Sequence, residues 1–183
     1  MVILKYSLTE DEYKAFNYYT GWQSPDKKSY RIKYFAKTLL FYFIGLFLFF
    51  LTKRNFPLDF NFFLIIGVVT ILLIIYLQYR IKVYYDGLVK KMIKESGENN
   101  ILHFTELTLS ESGINETSNK VDVRYKWHAI MKKTEVNKCY YLYLNSRQAL
   151  VIPQRIFVNQ KEKEEFEKLL AEHLPLQAEF PGT

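Results

Sequence analysis

The 183-residue chain has one cysteine, three histidines and seven glycines, and each scarcity closes off a class of function. With Cys139 alone no intramolecular disulfide can form, which fits a reducing compartment. Cys139 opens a strand-like stretch and lacks any motif that would mark a nucleophile. His103, His128 and His173 are far apart and share no metal-ligand spacing with Cys139 or with the carboxylates, so they read as ordinary strand or helix-face residues. The glycines form no phosphate-cradling loop, and no internal repeat is visible. These gaps leave no catalytic set, no metal site and no cofactor to expect. The opening MVILKYSLTEDEYK has no basic region followed by a long apolar core, so no cleavable signal peptide is expected and the first apolar run would serve as the insertion signal.

Long apolar runs are what the chain does have. YFAKTLLFYFIGLFLFFLT, residues 34–52, carries only Lys37, and FNFFLIIGVVTILLIIYLQY, residues 60–79, carries no charge. A hydrocarbon core about 30 Å thick takes roughly 20 helical residues to cross, and each run has about that many. The flanking sequence is too short to enclose two such helices in a soluble core. A transmembrane hairpin over 34–79 is therefore expected, with Thr52–Asp59 as its turn. Lys37 lies near enough to the interface to snorkel, and Asn61 and Thr70 are uncharged, so no ion path is indicated.

The net charge of +6 is unevenly placed. Residues 1–97 hold 14 Lys and Arg against 7 Asp and Glu, whereas residues 98–183 hold 11 against 12. The excess flanks the spans, which accounts for it by membrane topology before any nucleic acid is invoked. Lys27, Lys28, Arg31 and Lys33 precede the first span, and Arg80, Lys82, Lys90, Lys91 and Lys94 follow the second; the connecting loop has only Lys53 and Arg54. The positive-inside bias puts both termini in the cytoplasm of a two-pass protein. Lys27, Lys28, Arg31, Lys33, Arg80 and Lys82 are the candidate contacts to anionic lipid headgroups.

Around the hairpin the pattern changes. VILKYSL suits a short strand, within residues 1–8, and Thr9-Glu10-Asp11-Glu12 forms a capping box opening a short helix with Tyr13, Phe16, Tyr19 and Thr20 on it. Gly21 should end that helix, and Ser24-Pro25 should start the next, running unbroken into the first span; residues 9–33 are thus cytoplasmic helices. The second span should continue as a stalk over 80–97, with Ile81, Tyr84, Tyr85, Leu88, Met92 and Ile93 on one side. That stripe needs a partner, either the Tyr30 and Tyr34 side of the incoming helix or a second copy of the chain, through stalk or hairpin.

From residue 98 to 175 the period becomes alternating. Strands are expected over 101–109, 114–118, 120–127, 129–136, 139–144 and 148–152, with Asn137-Lys138 at hairpin spacing. In the 120–127 segment Val121, Val123, Tyr125 and Trp127 share one face, and the other carries Lys120, Arg124 and Lys126 with Asp122, the wet side of a half-buried sheet. A helix capped by Asn159 with Glu162 at the return position, and with Phe166, Leu169, Leu170 and Leu174 on one side, should close the domain before Pro175, leaving 176–183 as a tail. With VILKYSL this makes seven strands and a terminal helix. The expected class is membrane α+β, a two-helix transmembrane hairpin with a cytoplasmic pleckstrin-homology-like β domain capped by a C-terminal helix.

The opening YSLTEDEYKAFNYYTGWQSP, the strand-turn LTLSESGI, the WHAI at Trp127–Ile130 and VIPQRIF at Val151–Phe157 resemble the YcxB-like family of small bacterial membrane proteins. The resemblance implies a place in the bacterial cytoplasmic membrane and a pleckstrin-homology-like cytoplasmic domain, and it implies no activity. It marks Trp127, Ile130, Pro153, Arg155 and Phe157 as structural positions. Gln154 stands where the family pattern has a basic residue, leaving Arg155 alone there. Phosphoinositide-binding domains of that fold use the loop after the first strand, a connection the hairpin occupies here. The expected function is a non-enzymatic, membrane-anchored interaction or regulatory module with a protein partner. An anionic-lipid headgroup sensor is the second reading, and an enzyme acting on membrane lipids or precursors, with no catalytic set, the third.

Overall fold

The computed structural model describes residues 1–52, 60–97, 101–119 and 122–174. Strand β1, Val2–Ser7, alternates so that Val2, Leu4 and Tyr6 are buried. The capping box then forms in full: Thr9 Oγ1 accepts from the Glu12 amide at 3.2 Å and Glu12 Oε2 accepts from the Thr9 amide at 2.9 Å. Helix α1, Glu10–Tyr18, follows. It does not stop at Gly21, as the sequence suggested, but widens into a π-helical turn, Tyr19–Gln23, that passes through the glycine and ends at Ser24. The missing side chain serves packing instead, because a Cβ on Gly21 would stand 2.4 Å from the Tyr85 ring.

A 3-10 turn, Pro25–Lys27, leads directly into helix α2, Lys28–Thr52, as expected from Ser24-Pro25. Helix α3 runs Phe60–Ser96. The two are antiparallel neighbours: Thr70 Oγ1 lies 3.5 Å from the Tyr42 hydroxyl, and the Phe50 and Phe62 rings are 5.3 Å apart. Both helices are long and apolar enough to cross a bilayer, and no part of either apolar window is buried inside the protein. Core helices of a soluble domain would be covered. These are the exposed faces of a membrane protein.

Past Tyr79, α3 meets α1. Ile81 and Val89 are buried, and the Tyr18 and Tyr85 rings make an edge contact at 5.8 Å. The buried part of the stalk is thus covered chiefly by the N-terminal helix, while Tyr84 stays exposed. Tyr34 and Tyr30 both meet the Trp22 ring edge-on, at 5.4 and 5.9 Å, and Tyr30 is otherwise largely exposed.

Strands β2 (Phe104–Ser110), β3 (Gly113–Ser118) and β4 (Asp122–Tyr125) form an antiparallel sheet in the order β1-β2-β3-β4. β1 pairs along its whole length with β2, from Val2 opposite Leu109 to Ser7 opposite Phe104. Strands β5 (Lys132–Val136), β6 (Cys139–Tyr143) and β7 (Ala149–Pro153) form a second sheet, and helix α4, Gln160–His173, packs against β1 and β2. Asn137 and Lys138 both take positive φ, 55° and 58°, as a two-residue hairpin turn requires.

Three strand expectations shift. The first begins at Phe104 instead of Ile101, and the 129–136 strand begins at Lys132. The alternating 120–127 strand ends at Tyr125, and Trp127 sits in a 3-10 turn, Trp127–Ala129, so it does not continue the strand's apolar face. Val123 is 39% exposed because β4 lies at the sheet's edge; Lys120 and Val121 lie outside the described residues.

The main core lies between the sheets and α4: Leu4, Leu107, Leu109 and Ile114 from the first sheet, Tyr140, Leu142 and Ile152 from the second, Phe166 and Leu170 from the helix. Phe16 and Tyr19 close a second cluster over Cys139, Tyr141, Tyr143 and Val151. Strand β6 is therefore buried on both faces, which explains why CYYLY has no polar alternation.

Candidate functional site

Of the residues singled out in the sequence, Arg155 and Arg31 lie where the N-terminal segment meets the rest of the chain, and the others are spread over the collar and the sheet domain. Arg155, in the turn after β7, grips Glu12 through two bonds, Nε to Oε1 at 2.7 Å and Nη2 to Oε2 at 3.0 Å, and Nη2 also reaches the Ser7 carbonyl at 2.8 Å. Burial would raise the Glu12 carboxyl, but the Arg155 hydrogen bond and the Thr9 amide outweigh it and hold it below the usual glutamate range. Glu12 thereby holds Arg155, raised in turn chiefly by that hydrogen bond, and returns to cap its own helix. An exposed anion site at Arg155 is not what forms. The charge is spent inside the chain, on tying the N-terminal segment to the last strand.

Other ties follow the same route. The Tyr6 hydroxyl donates to the Val151 carbonyl at 2.8 Å, and burial raises its pKa. Thr20 and Tyr143 share a hydroxyl bond of 2.8 Å, and Lys132 pairs with Asp26 at 3.2 Å with both side chains largely covered. Asp26 also accepts from Ser24 Oγ at 3.0 Å. The Tyr6–Val151, Thr20–Tyr143 and Asp26–Lys132 pairs each join residues more than a hundred positions apart in the chain, and no local pattern announces them.

The basic collar divides. Arg31 Nη1 donates to the carbonyls of Trp22 and Ser24, satisfying the end of the π turn; it has the expected position but is not a free surface cation. Arg80 stays exposed over Tyr76, 5.9 Å from its ring centre. Lys28 and Lys33 are exposed, Lys27 half-buried. Lys28 and Arg31 line one hollow of about 770 Å³ along α2, with Phe35, Ala36 and Leu39, opposite Tyr18, Trp22 and Gln23 and beside Gln78 of α3. Lys82 lines a different one, about 570 Å³, with Asp11, Lys14 and Asp86, and Lys27 a third, with Tyr84, Tyr85 and Arg147. The collar is thus several sites and not one.

In the sheet domain Arg124 Nη2 donates to Ser112 Oγ at 2.6 Å and Lys126 is exposed. Trp127 donates from Nε1 to the carbonyls of Ser110 and Glu111, at 3.0 and 3.1 Å, and stacks flat on His173 at 4.8 Å. It joins the β2–β3 turn to the end of α4. Gly113 in that turn has φ 139° and abuts the Tyr125 carbonyl, where a Cβ would stand 2.2 Å away. Ile130 and Pro153 are buried, and Phe157 meets Tyr140 and Phe166 edge-on or tilted at 6.2 and 5.1 Å. Trp127, Ile130, Pro153 and Phe157 are all packing residues. Gln154 Nε2 reaches Glu135 at 2.6 Å. The Tyr140 hydroxyl donates to Glu167, and the Asn159 cap forms, though Glu162 returns to the Val158 amide and not to Asn159. Burial pushes the Cys139 thiol up to about 11, consistent with an inert core residue. Among the described residues no group of three His, Cys, Asp or Glu could hold a metal.

Residues 109–170, from the end of β2 into α4, match the family model described as YcxB-like protein. The chain carries a YcxB-like domain. No curated protein and no solved structure matches it. The matched segment contains the turn that Trp127 closes, the buried Ile130 and Pro153, and Arg155. It does not contain β1 or Glu12, the partners that complete the YcxB-like sheet and neutralise its arginine.

Proposed function

We propose that the chain is a non-enzymatic module, anchored in the cytoplasmic membrane of a bacterium by the α2–α3 hairpin, whose cytoplasmic domain binds a protein partner. The domain is read as pleckstrin-homology-like from the seven strands among the described residues, in sheets of four and three, closed by a C-terminal helix. The observation that carries the reading is the insertion of the hairpin within this domain. β1 and α1 precede the spans and β2 follows them, and Glu12–Arg155, Asp26–Lys132 and Thr20–Tyr143 bind both sides of the insertion together. An anchor held at both ends presents the domain in a fixed attitude to the bilayer, which suits a regulator of a neighbouring membrane protein better than a loose tether would. The perturbed side chains support the non-enzymatic part, since Glu12, Arg155, Tyr6 and Tyr140 are each committed to a structural bond. The basic flanks favour both termini in the cytoplasm.

The outer edge of β4 is the favoured contact, because among the described residues it pairs only with β3 and carries the exposed Val123. Photo-crosslinkers placed at Val123 and at exposed Lys161 of α4 in native membranes, read by mass spectrometry, test this. A discrete protein adduct from Val123 and none from Lys161 is expected. Lipid adducts alone, or the same adducts from both positions, would remove the partner-binding reading.

A further inference from the structure

We propose that the hollow along α2, walled by Tyr18, Trp22 and Gln23 and by Gln78 of α3, holds one anionic glycerophospholipid, with its phosphate at Lys28 and Arg31 and an acyl chain along Phe35, Ala36 and Leu39. This rests on the hairpin crossing the bilayer and is independent of the protein partner. Positions 28, 31, 32, 35, 36 and 39 recur every three or four residues and so form one stripe of α2, lining the hollow throughout. Along that stripe the chemistry turns from cationic to wholly apolar over eleven residues, about 16 Å, a length comparable with a headgroup and the upper part of its chain. The Arg31 guanidinium is held in place by the Trp22 and Ser24 carbonyls, which orient it without neutralising its charge. Trp22 walls the hollow and is itself fixed edge-on by Tyr34 at 5.4 Å and Phe35 at 6.1 Å. That aromatic cluster belongs at the level of the membrane interface, which sets the cations among headgroups and Leu39 among chains. Ala36, small and exposed, leaves the stripe open between Ile32 and Leu39. A soluble anion would satisfy the two cations and leave the apolar stripe in water; a neutral lipid would cover the stripe and leave the charge unmatched. An anionic phospholipid meets both.

The test uses the full chain in nanodiscs of phosphatidylcholine containing a small fraction of either phosphatidylglycerol or phosphatidylcholine brominated on its chains. Bromine quenches tryptophan at short range, and the Trp22 share of the signal is identified by its loss in Trp22→Phe. Brominated phosphatidylglycerol is expected to half-quench Trp22 at a severalfold lower fraction than brominated phosphatidylcholine. Lys28→Gln should narrow that advantage about fivefold, the worth of one basic residue at an anionic surface. Ala36→Phe, which keeps both cations and fills the open part of the stripe, should also abolish it. Lys33→Glu, exposed on α2 outside the hollow, should leave it intact. Equal quenching by the two lipids, or equal losses from Lys33→Glu and Lys28→Gln, would mean a diffuse basic collar and overturn the proposal. Displacement by saturating glycerol phosphate would assign the site to a soluble anion and overturn it too. Failure of the chain to insert into nanodiscs would count instead against the anchor itself.

Discussion

The hairpin and the sheet domain are both rich in large apolar side chains, and they dispose of them in opposite ways. In the hairpin Phe41 is 63% exposed and Ile71 60%, while in the domain Leu107, Ile152 and Phe166 are wholly buried. The domain alternates its apolar residues on strands and closes them against a second layer, so its water-facing side stays polar. The hairpin is apolar around the full circumference of each helix, with no protein layer to cover it. Equal hydrophobicity therefore means two things, a core where the chain supplies its own cover and a surface where the bilayer must.

The sharpest way to break this contrast is topological. Asn55→Cys should be labelled by an impermeant thiol reagent from outside intact cells, with little background from buried Cys139, while reporters at both ends report cytoplasm. The opposite labelling pattern would end the hairpin reading. Next in size is a pair of truncations in the purified protein in micelles. Phe166→Ala should cost about 3 to 5 kcal/mol of unfolding free energy, and Phe41→Ala no more than about 0.5 kcal/mol. Comparable losses would show that the two regions are not solvated differently.

Arg155→Ala should cost about 1 to 2 kcal/mol, toward the low end because the guanidinium is half exposed. The sign of its pH dependence follows from Glu12, whose carboxyl is held below its ordinary value of about 4.3. The pair's contribution is complete above that value and is lost as pH falls through the lower folded value, so the native and Arg155→Ala curves should converge in acid. A gap that stays constant below pH 4 would assign the effect to packing instead. The smallest effect is expected from Arg124→Glu with Lys126→Glu, which should barely change the affinity of the full chain for anionic vesicles. A large loss there would move lipid recognition from the hairpin's collar to the sheet.

Sequence alone was enough to place the two long apolar helices, the Thr9 cap with its Glu12 return, the Asn159 cap without its return, the Asn137-Lys138 hairpin and the strands though not all their ends, because each is written in neighbouring residues: an unbroken apolar run, a capping side chain beside its helix, a period of two. It misplaced the end of the helix at Gly21, since a glycine marks either a stop or a close approach, and only the position of Tyr85 tells which. It read Trp127 as part of a strand because the alternation continues to it, whereas the indole is taken by the Ser110 and Glu111 carbonyls. The VIPQRIF pattern marked Arg155 but could not name Glu12, 143 residues away, and nothing near Asp26 points to Lys132. The hollow beside Lys28 and Arg31 was visible only as half of itself, a basic flank, until Tyr18, Trp22 and Gln23 were brought against α2 to complete it. What periodicity and caps determine is local because their forces act over a few residues. Which strand closes the sheet, which helix covers the stalk and which charges are spent inside the fold are decided by contacts that exist only once distant segments are brought together.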